Sequence, residues 1–215
     1  MSEDSREIET FDFEIFGLIQ EAFSRINGVK WIFVASLFAY MVIALILNFL
    51  LGFIFSADNT IADNAKSILS MPVLVPIMLG IVMLAISHVR AKELELQSIF
   101  DYYVYVWPLV FASVAMYALI AIGFLLLILP GIYLAVAYKF TLPLIVDKNL
   151  GVWEAMELSR RTVTARWFKF FGLDIVLLVT VLISAIPFGI GLIWTAPMAF
   201  IAHALLYHHL FDEED

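Results

Sequence analysis

Six blocks of about 20 apolar residues, joined by short polar or Pro/Gly-marked connections, dominate this chain. A helix of that length spans the ~30 Å hydrocarbon core of a bilayer. In hydrocarbon every backbone N–H and C=O must find a protein partner, which restricts spanning segments to helices and closed barrels. The blocks run about Trp31–Phe55, Ser70–Val89, Trp107–Leu129, Gly131–Asp147, Trp167–Ile186 and Phe188–Phe211. The fourth is the shortest, so five spans plus a re-entrant piece is the variant it leaves open. The alternating ~10-residue strands of an outer-membrane barrel are not seen.

The fold expected is therefore an all-α polytopic transmembrane helical bundle, one membrane domain over residues 31–211. An acidic amphipathic segment at 1–28 precedes it, and the acidic tail "DEED" at 212–215 follows. Composition agrees: 63% of residues are hydrophobic and 15% charged, against about 45–50% and ~25% in soluble domains. There is no cysteine, which excludes disulfides and thiolate metal sites. The opening "MSEDSREIETFDFEIFG" is acidic and lacks the basic and apolar regions of a cleaved signal. The first span is expected to act as an uncleaved signal.

Orientation follows from lysine and arginine rather than from the net charge of −8. Arg6, Arg25, Lys30, Arg90, Lys92, Lys148, Arg160, Arg161, Arg166 and Lys169 fall on one side of a six-span arrangement. Lys66 alone falls on the other, and Lys139 lies within a span. Both termini are expected to be cytoplasmic, in a bacterial inner membrane. Trp31, Trp107 and Trp167 open the three outgoing spans, at the headgroup level that aromatic belts occupy. "LPG" at 129–131 and "IPFG" at 186–189 read as tight outer turns, and residues 56–69 as the one outer loop of any length.

A threefold pattern runs through the chain: a short amphipathic helix, a Trp, an outgoing span, a turn and a returning span. The amphipathic faces are Ile15, Leu18, Ala22 and Ile26; Leu96, Ile99 and Tyr103; and Val152, Met156, Ser159 and Val163. Their spacing predicts three helices in the cytoplasmic interface plane. In the third, Glu157 and Arg161 are placed for an i,i+4 pair. The first carries Asp12, Glu14 and Glu21, which favours packing on the protein's own basic third segment over binding anionic lipid. Pro72 and Pro187 are each followed 16 residues later by a histidine, His88 and His203, an echo that the middle unit breaks at Val146. Alanines at 112, 115, 118 and 121, and at 196, 199 and 202, form stripes that suit close helix packing within the chain, with a homo-oligomer contact as the second reading.

The candidate functional residues are the polar groups inside spans. Lys139 lies eight residues from either end of its span, roughly 12 Å from each interface. A central lysine costs ~2.5–3.5 kcal/mol on insertion scales, so it must face the bundle, find a partner or deprotonate. Asp174, seven residues beyond Trp167 and so roughly 10 Å deep, is the partner the sequence offers. His88 and His203 are candidates for a paired pH-sensing role. His208 and Asp212 have i,i+4 spacing, but histidines at a chain end near an interface are more often solvated, and no metal or cofactor is assigned. No G-x-S-x-G, H-E-x-x-H or P-loop occurs, and "HHLFDEED" misses the H-x4-D pattern of acyltransferases. Topology accounts for the basic residues, so nucleic acid is not an expected partner.

The run "YKFTLPLIVDKNLGVWEAMELSRRT" resembles the membrane domain found ahead of some glycerophosphodiester phosphodiesterases, and related uncharacterised bacterial integral membrane proteins. The matching residues are Pro143, Asp147, Glu154, Ala155 and Ser159, within about residues 100–210. The resemblance implies a six-helix inner-membrane fold and carries over no catalytic activity. The function expected is that of a non-enzymatic membrane protein organising the bilayer or a membrane complex. The alternatives are a small channel or transporter, as a monomer or homo-oligomer, with Lys139 and Asp174 in its pathway, and a lipid-modifying enzyme dependent on His203.

Overall fold

The structure, a computed structural model, describes residues 12–55, 60–186 and 188–212, and these form helices and turns only. Five stretches are long and apolar enough to cross a membrane: Lys30–Ile54, Ala62–Val89, Leu96–Leu126, Ile128–Asp147 and Trp167–Ala185. The helices in chain order are α1 (Ile15–Ser24), α2 (Lys30–Ile54), α3 (Thr60–Val89), α4 (Val106–Leu126), α5 (Ile128–Ala137), α6 (Thr141–Asp147), α7 (Val152–Thr164), α8 (Trp167–Ala185) and α9 (Leu192–Phe211). A 3₁₀ segment, Leu96–Tyr105, precedes α4.

The centre of the bundle is α9 together with the C-terminal half of α3. Met198, Ile201, Ala202, Leu205, Leu206 and Tyr207 of α9 are buried, with Ile77, Leu79, Ile81, Leu84 and Ile86 of α3. α9 falls short of the apolarity of those five stretches because it carries Pro197 and three histidines. It sits inside the bundle, and α2 lies outside, presenting Phe38, Leu45, Phe49, Phe53 and Ile54 outward. In an aqueous protein that surface would be a liability; here it is the face met by acyl chains. Of the two alanine stripes, Ala112 and Ala202 are buried, while Ala118 and Ala121 are exposed.

The amphipathic faces of α1 and α7 turn toward protein. Leu18, Ala22 and Ile26 pack against the core, as do Ala155, Met156, Ser159 and Val163. α1 lies chiefly on α9 and touches α8, and Asp12 pairs with Lys169 and Arg166, so its acidic N-terminal end does meet the basic third segment. On α7, Glu157 binds Arg161 Nε at 2.6 Å and also Arg160.

Three expectations are corrected. Residues 60–69 are not loop but the first turns of α3, stabilised by an Asp63–Lys66 pair at 3.2 Å and by Ser67 and Ser70 hydroxyls bonded back to helix carbonyls. The middle amphipathic segment is 3₁₀ rather than α. Its inward residues Ile99, Tyr102 and Tyr105 recur every third position, matching three residues per turn, and its "DYYVY" stretch is poor in strong α formers. The turn expected at "LPG" falls two residues earlier, at the extended Leu127, because Pro130 is tolerated in the first turn of α5. Of "IPFG", Phe188 and Gly189 adopt positive φ before α9, while Pro187 lies outside the described residues.

The 3₁₀ segment is held against α3 by close backbone approach. Tyr103 Oη donates to the Val73 carbonyl at 2.8 Å, and the Ile99 backbone lies directly over Gly80. A Cβ at position 80 would collide with the Ile99 carbonyl, whereas one at Gly52 meets open space. Gly80→Ala should therefore lower stability by about 1–3 kcal/mol, the range for overpacking. Gly52→Ala should leave it unchanged or slightly raise it, both read by thermal unfolding in detergent.

Candidate functional site

The fourth span is a broken helix, and Lys139 sits at the break. α5 ends at Ala137, Tyr138–Phe140 form a turn, and α6 begins at Thr141. Pro143 explains the position. In a continuous helix its ring would strike the carbonyl of residue 139, and it has no N–H to donate there. The freed backbone groups are recovered from α7. Ser159 Oγ donates to the Ala137 carbonyl at 2.7 Å and accepts the Phe140 N–H at 3.2 Å, and the hydroxyl is fully buried. One side chain thus bridges the two half-helices.

The Lys139 ammonium bonds both oxygens of Asp174, at 2.6 and 2.7 Å. His203 Nε2 lies 3.0 Å from Asp174 Oδ1 and 3.4 Å from Lys139 Nζ. His203 Nδ1 faces the Ala199 carbonyl at 2.8 Å, so that nitrogen carries the proton and donates. Nε2 then has two roles open to it. Neutral, it accepts from Lys139; protonated, it donates to Asp174. Three ionisable groups from α8, α9 and the break in the fourth span share one set of hydrogen bonds. Lys139 is largely covered, with 12% of its side chain exposed, and its ammonium lies 5.6 Å from the Phe170 ring centre. A cavity of about 140 Å³ adjoins the cluster, lined by Lys139, Phe140, Pro143, Phe200, His203 and Tyr207 among others.

The fourth sequence candidate does not join this cluster. His88 Nε2 bonds the Arg25 carbonyl at 2.9 Å, fastening the end of α3 to the turn after α1. His88 and His203 are thus bonded to different partners.

A second ionic cluster was not anticipated. Arg90 grips Asp147 at 2.6 and 2.7 Å and Asp212 at 2.6 and 2.7 Å, so four charge-assisted bonds radiate from one guanidinium. Tyr207 Oη donates to Asp147 Oδ2 at 2.8 Å, and Lys148 lies 3.6 Å from Asp212. The hydrogen bonds that Arg90 donates to Asp147, then to Asp212, hold it above its already high range. These residues end the second, fourth and sixth apolar blocks. Counting Arg90 only as a topology marker hid the cluster; three charges of mixed sign at the ends of three apolar blocks were the available signal. The Asp212 carboxylate is committed here rather than paired with His208. Among the described residues no group of His, Asp and Glu is disposed to hold a metal.

Outside the spans, two carboxylates are held below their usual range. The Lys169 hydrogen bond does this for Asp12. Hydrogen bonds from Arg160 and then Arg161 bring Glu157 down to about 2.

Fold and charge cluster together define an integral membrane protein of the helical-bundle class. No protein-family profile, curated protein or solved structure matches the chain.

Two predictions come from this geometry. Ser159→Ala strands two buried backbone groups at the break and should cost about 1–3 kcal/mol, seen as earlier thermal unfolding in detergent, while Ser159→Thr, which keeps the hydroxyl, should lose less. Glu157 has a folded pKa below its unfolded value, so its contribution to α7 is complete above the ordinary carboxylate range and fades as pH falls toward 2. Protection of α7 amides, taken relative to the intrinsic exchange rate at each pH, should fall over that window, and Glu157→Gln should remove that loss.

Proposed function

We propose that this protein is a non-enzymatic six-span membrane protein in which the Lys139–Asp174–His203 cluster carries a proton or small ion across part of the bilayer. The observation that carries this reading is the coincidence of a broken span, an intramembrane lysine at the break, and a histidine within reach of both its ammonium and its carboxylate partner. Irregular backbone within a membrane is tolerated where it is buried in protein or lines a cavity, and intramembrane ionisable residues commonly mark ion and proton pathways. The adjoining cavity supports the reading, as does the buried Thr141 hydroxyl two residues from Lys139, which has no hydrogen-bond partner among the described residues.

The topology in this proposal places both termini in the cytoplasm of a bacterium, with α9 as the sixth span of an inner-membrane protein. The one-sided distribution of lysine and arginine supports it. The threefold repeat and the resemblance to phosphodiesterase-associated membrane domains belong to the same reading. Asp147 and Ser159, two residues of that resemblance, do structural work at the Arg90 cluster and at the break.

A second reading, organisation of the bilayer or a membrane complex, is favoured by the mutual neutralisation of Lys139 and Asp174 and by the docking of α1 through Asp12 and His88. Flux separates the two. In proteoliposomes carrying a pH-sensitive dye, the parent should dissipate an imposed gradient, and Lys139→Met and His203→Gln should each abolish that flux while the protein remains folded. Equal dissipation by parent and variants, or none by the parent, rejects the pathway in favour of the organiser.

A further inference from the structure

At the end of α3 remote from Arg90, α2 and the first turns of α3 enclose a second cleft of about 270 Å³. Lys66 and Arg90 are separated by roughly 24 residues along this helix, about 36 Å, which exceeds the ~30 Å hydrocarbon core. The cleft therefore opens at the opposite headgroup level from the Arg90 cluster. Its polar lining is Asn48 from α2 and Asp63, Lys66, Ser67 and Ser70 from α3, over an apolar base that includes Leu51.

Lys66 is the one basic residue the sequence assigns to that side, and it is not extended into open space. Only 18% of its side chain is exposed, against 68% for Asp63. Its ammonium donates one bond to Asp63 Oδ1 at 3.2 Å, which leaves two of its three donors for a ligand. The hydrogens of the two serine hydroxyls are already spent: Ser67 donates to the Asp63 carbonyl at 2.9 Å and Ser70 to the Ser67 carbonyl at 2.8 Å. Their oxygens therefore offer lone pairs only. With the Asp63 carboxylate and the Asn48 amide oxygen, the cleft presents several acceptors beside one cation.

We propose that this cleft binds the headgroup of a phospholipid carrying both a phosphate and a primary ammonium, in the leaflet remote from Arg90. Lys66 takes the phosphate; Asp63, the serine oxygens and Asn48 take the ammonium. A primary ammonium supplies N–H donors for these acceptors, and a quaternary one does not. The occupant is a lipid rather than a soluble phosphate ester because Leu47, Leu51 and Leu74 line the cleft beside its polar groups, and α2, which forms one wall, presents Phe49, Leu50 and Phe53 to acyl chains on its other side. The site is independent of the Lys139 cluster and of any flux.

Native mass spectrometry of the full-length protein, delipidated in detergent and offered equal amounts of phosphatidylethanolamine, phosphatidylcholine and phosphatidylglycerol, tests this. The parent should retain phosphatidylethanolamine in preference to the other two. Asp63→Asn should flatten that preference, and Lys66→Met should weaken retention of all three by about tenfold, the loss of one charge-assisted bond. Equal retention of the ethanolamine and choline lipids by the parent overturns the proposal, as does an unchanged preference in Asp63→Asn. If Lys66→Met fails to fold, the Asp63→Asn result decides alone. Soluble phosphoethanolamine that competes as strongly as the intact lipid would likewise overturn the assignment to a membrane ligand.

Discussion

Inside hydrocarbon a broken helix must recover its hydrogen bonds from other protein groups, and the hydroxyl of Ser159 meets that constraint here. Pro143 dictates the interruption of the fourth span, and the interruption leaves a donor and an acceptor facing the protein interior. Ser159 answers both, from a helix that lies outside the long spans. α7 is therefore part of the membrane architecture, and the burial of Ala155, Met156 and Val163 follows from that docking. Placing Lys139 at the break then becomes feasible, because the turn aims its ammonium at α8 and α9 rather than along the span.

The charge inside the bundle is stabilised as a group. A lone ammonium in the interior is expensive, and removing one partner from such a pair commonly costs 3–5 kcal/mol because the other is left uncompensated. Here Asp174 receives Lys139 through both oxygens, Phe170 lends a ring face, and His203 adds a titratable nitrogen within reach of both. Phe13, just before α1, packs edge-on against Phe170 at 5.4 Å. The N-terminal segment and the ion pair thus share one aromatic neighbour, which links the docking of α1 to the surroundings of Lys139.

Much of this was legible in the chain itself. Block length and apolarity show where the long helices lie, and the three-to-four spacing of Leu18, Ala22 and Ile26, and of Met156, Ser159 and Val163, identifies the faces that become buried. Lys139 and Asp174 are conspicuous because a charge among apolar residues demands a partner. What was not legible depends on tertiary geometry. Nothing local marks Ser159 as the bridge, since its partners are about 20 residues away. The Arg90 cluster joins residues 57 and 122 positions apart, and a rule that counts arginine for topology has no reason to pair it. The 3₁₀ segment was missed because its apolar residues suit a period of three nearly as well as one of 3.6.

The Arg90 cluster also has a mechanical consequence. One planar guanidinium holds the ends of two other chain segments through bonds that tolerate little sliding, and Tyr207 adds a rivet between α9 and Asp147. α3, α6 and α9 are thereby fixed in axial register at one face of the bundle, like staves set into a common hoop. Relative displacement of these three along their axes breaks several strong bonds at once. Outside the hoop lie α2, which has few buried residues, and the α4–α5 hairpin, where Gly123 faces the Gly131 backbone so closely that an added Cβ would crowd it. The two halves of the fourth span are thus held by different means: α6 by the charges of the hoop, and α5 by its packing on α4 and by Tyr133, whose hydroxyl bonds that of Thr164 at 2.7 Å and whose carbonyl accepts from Trp167 Nε1 at 3.3 Å.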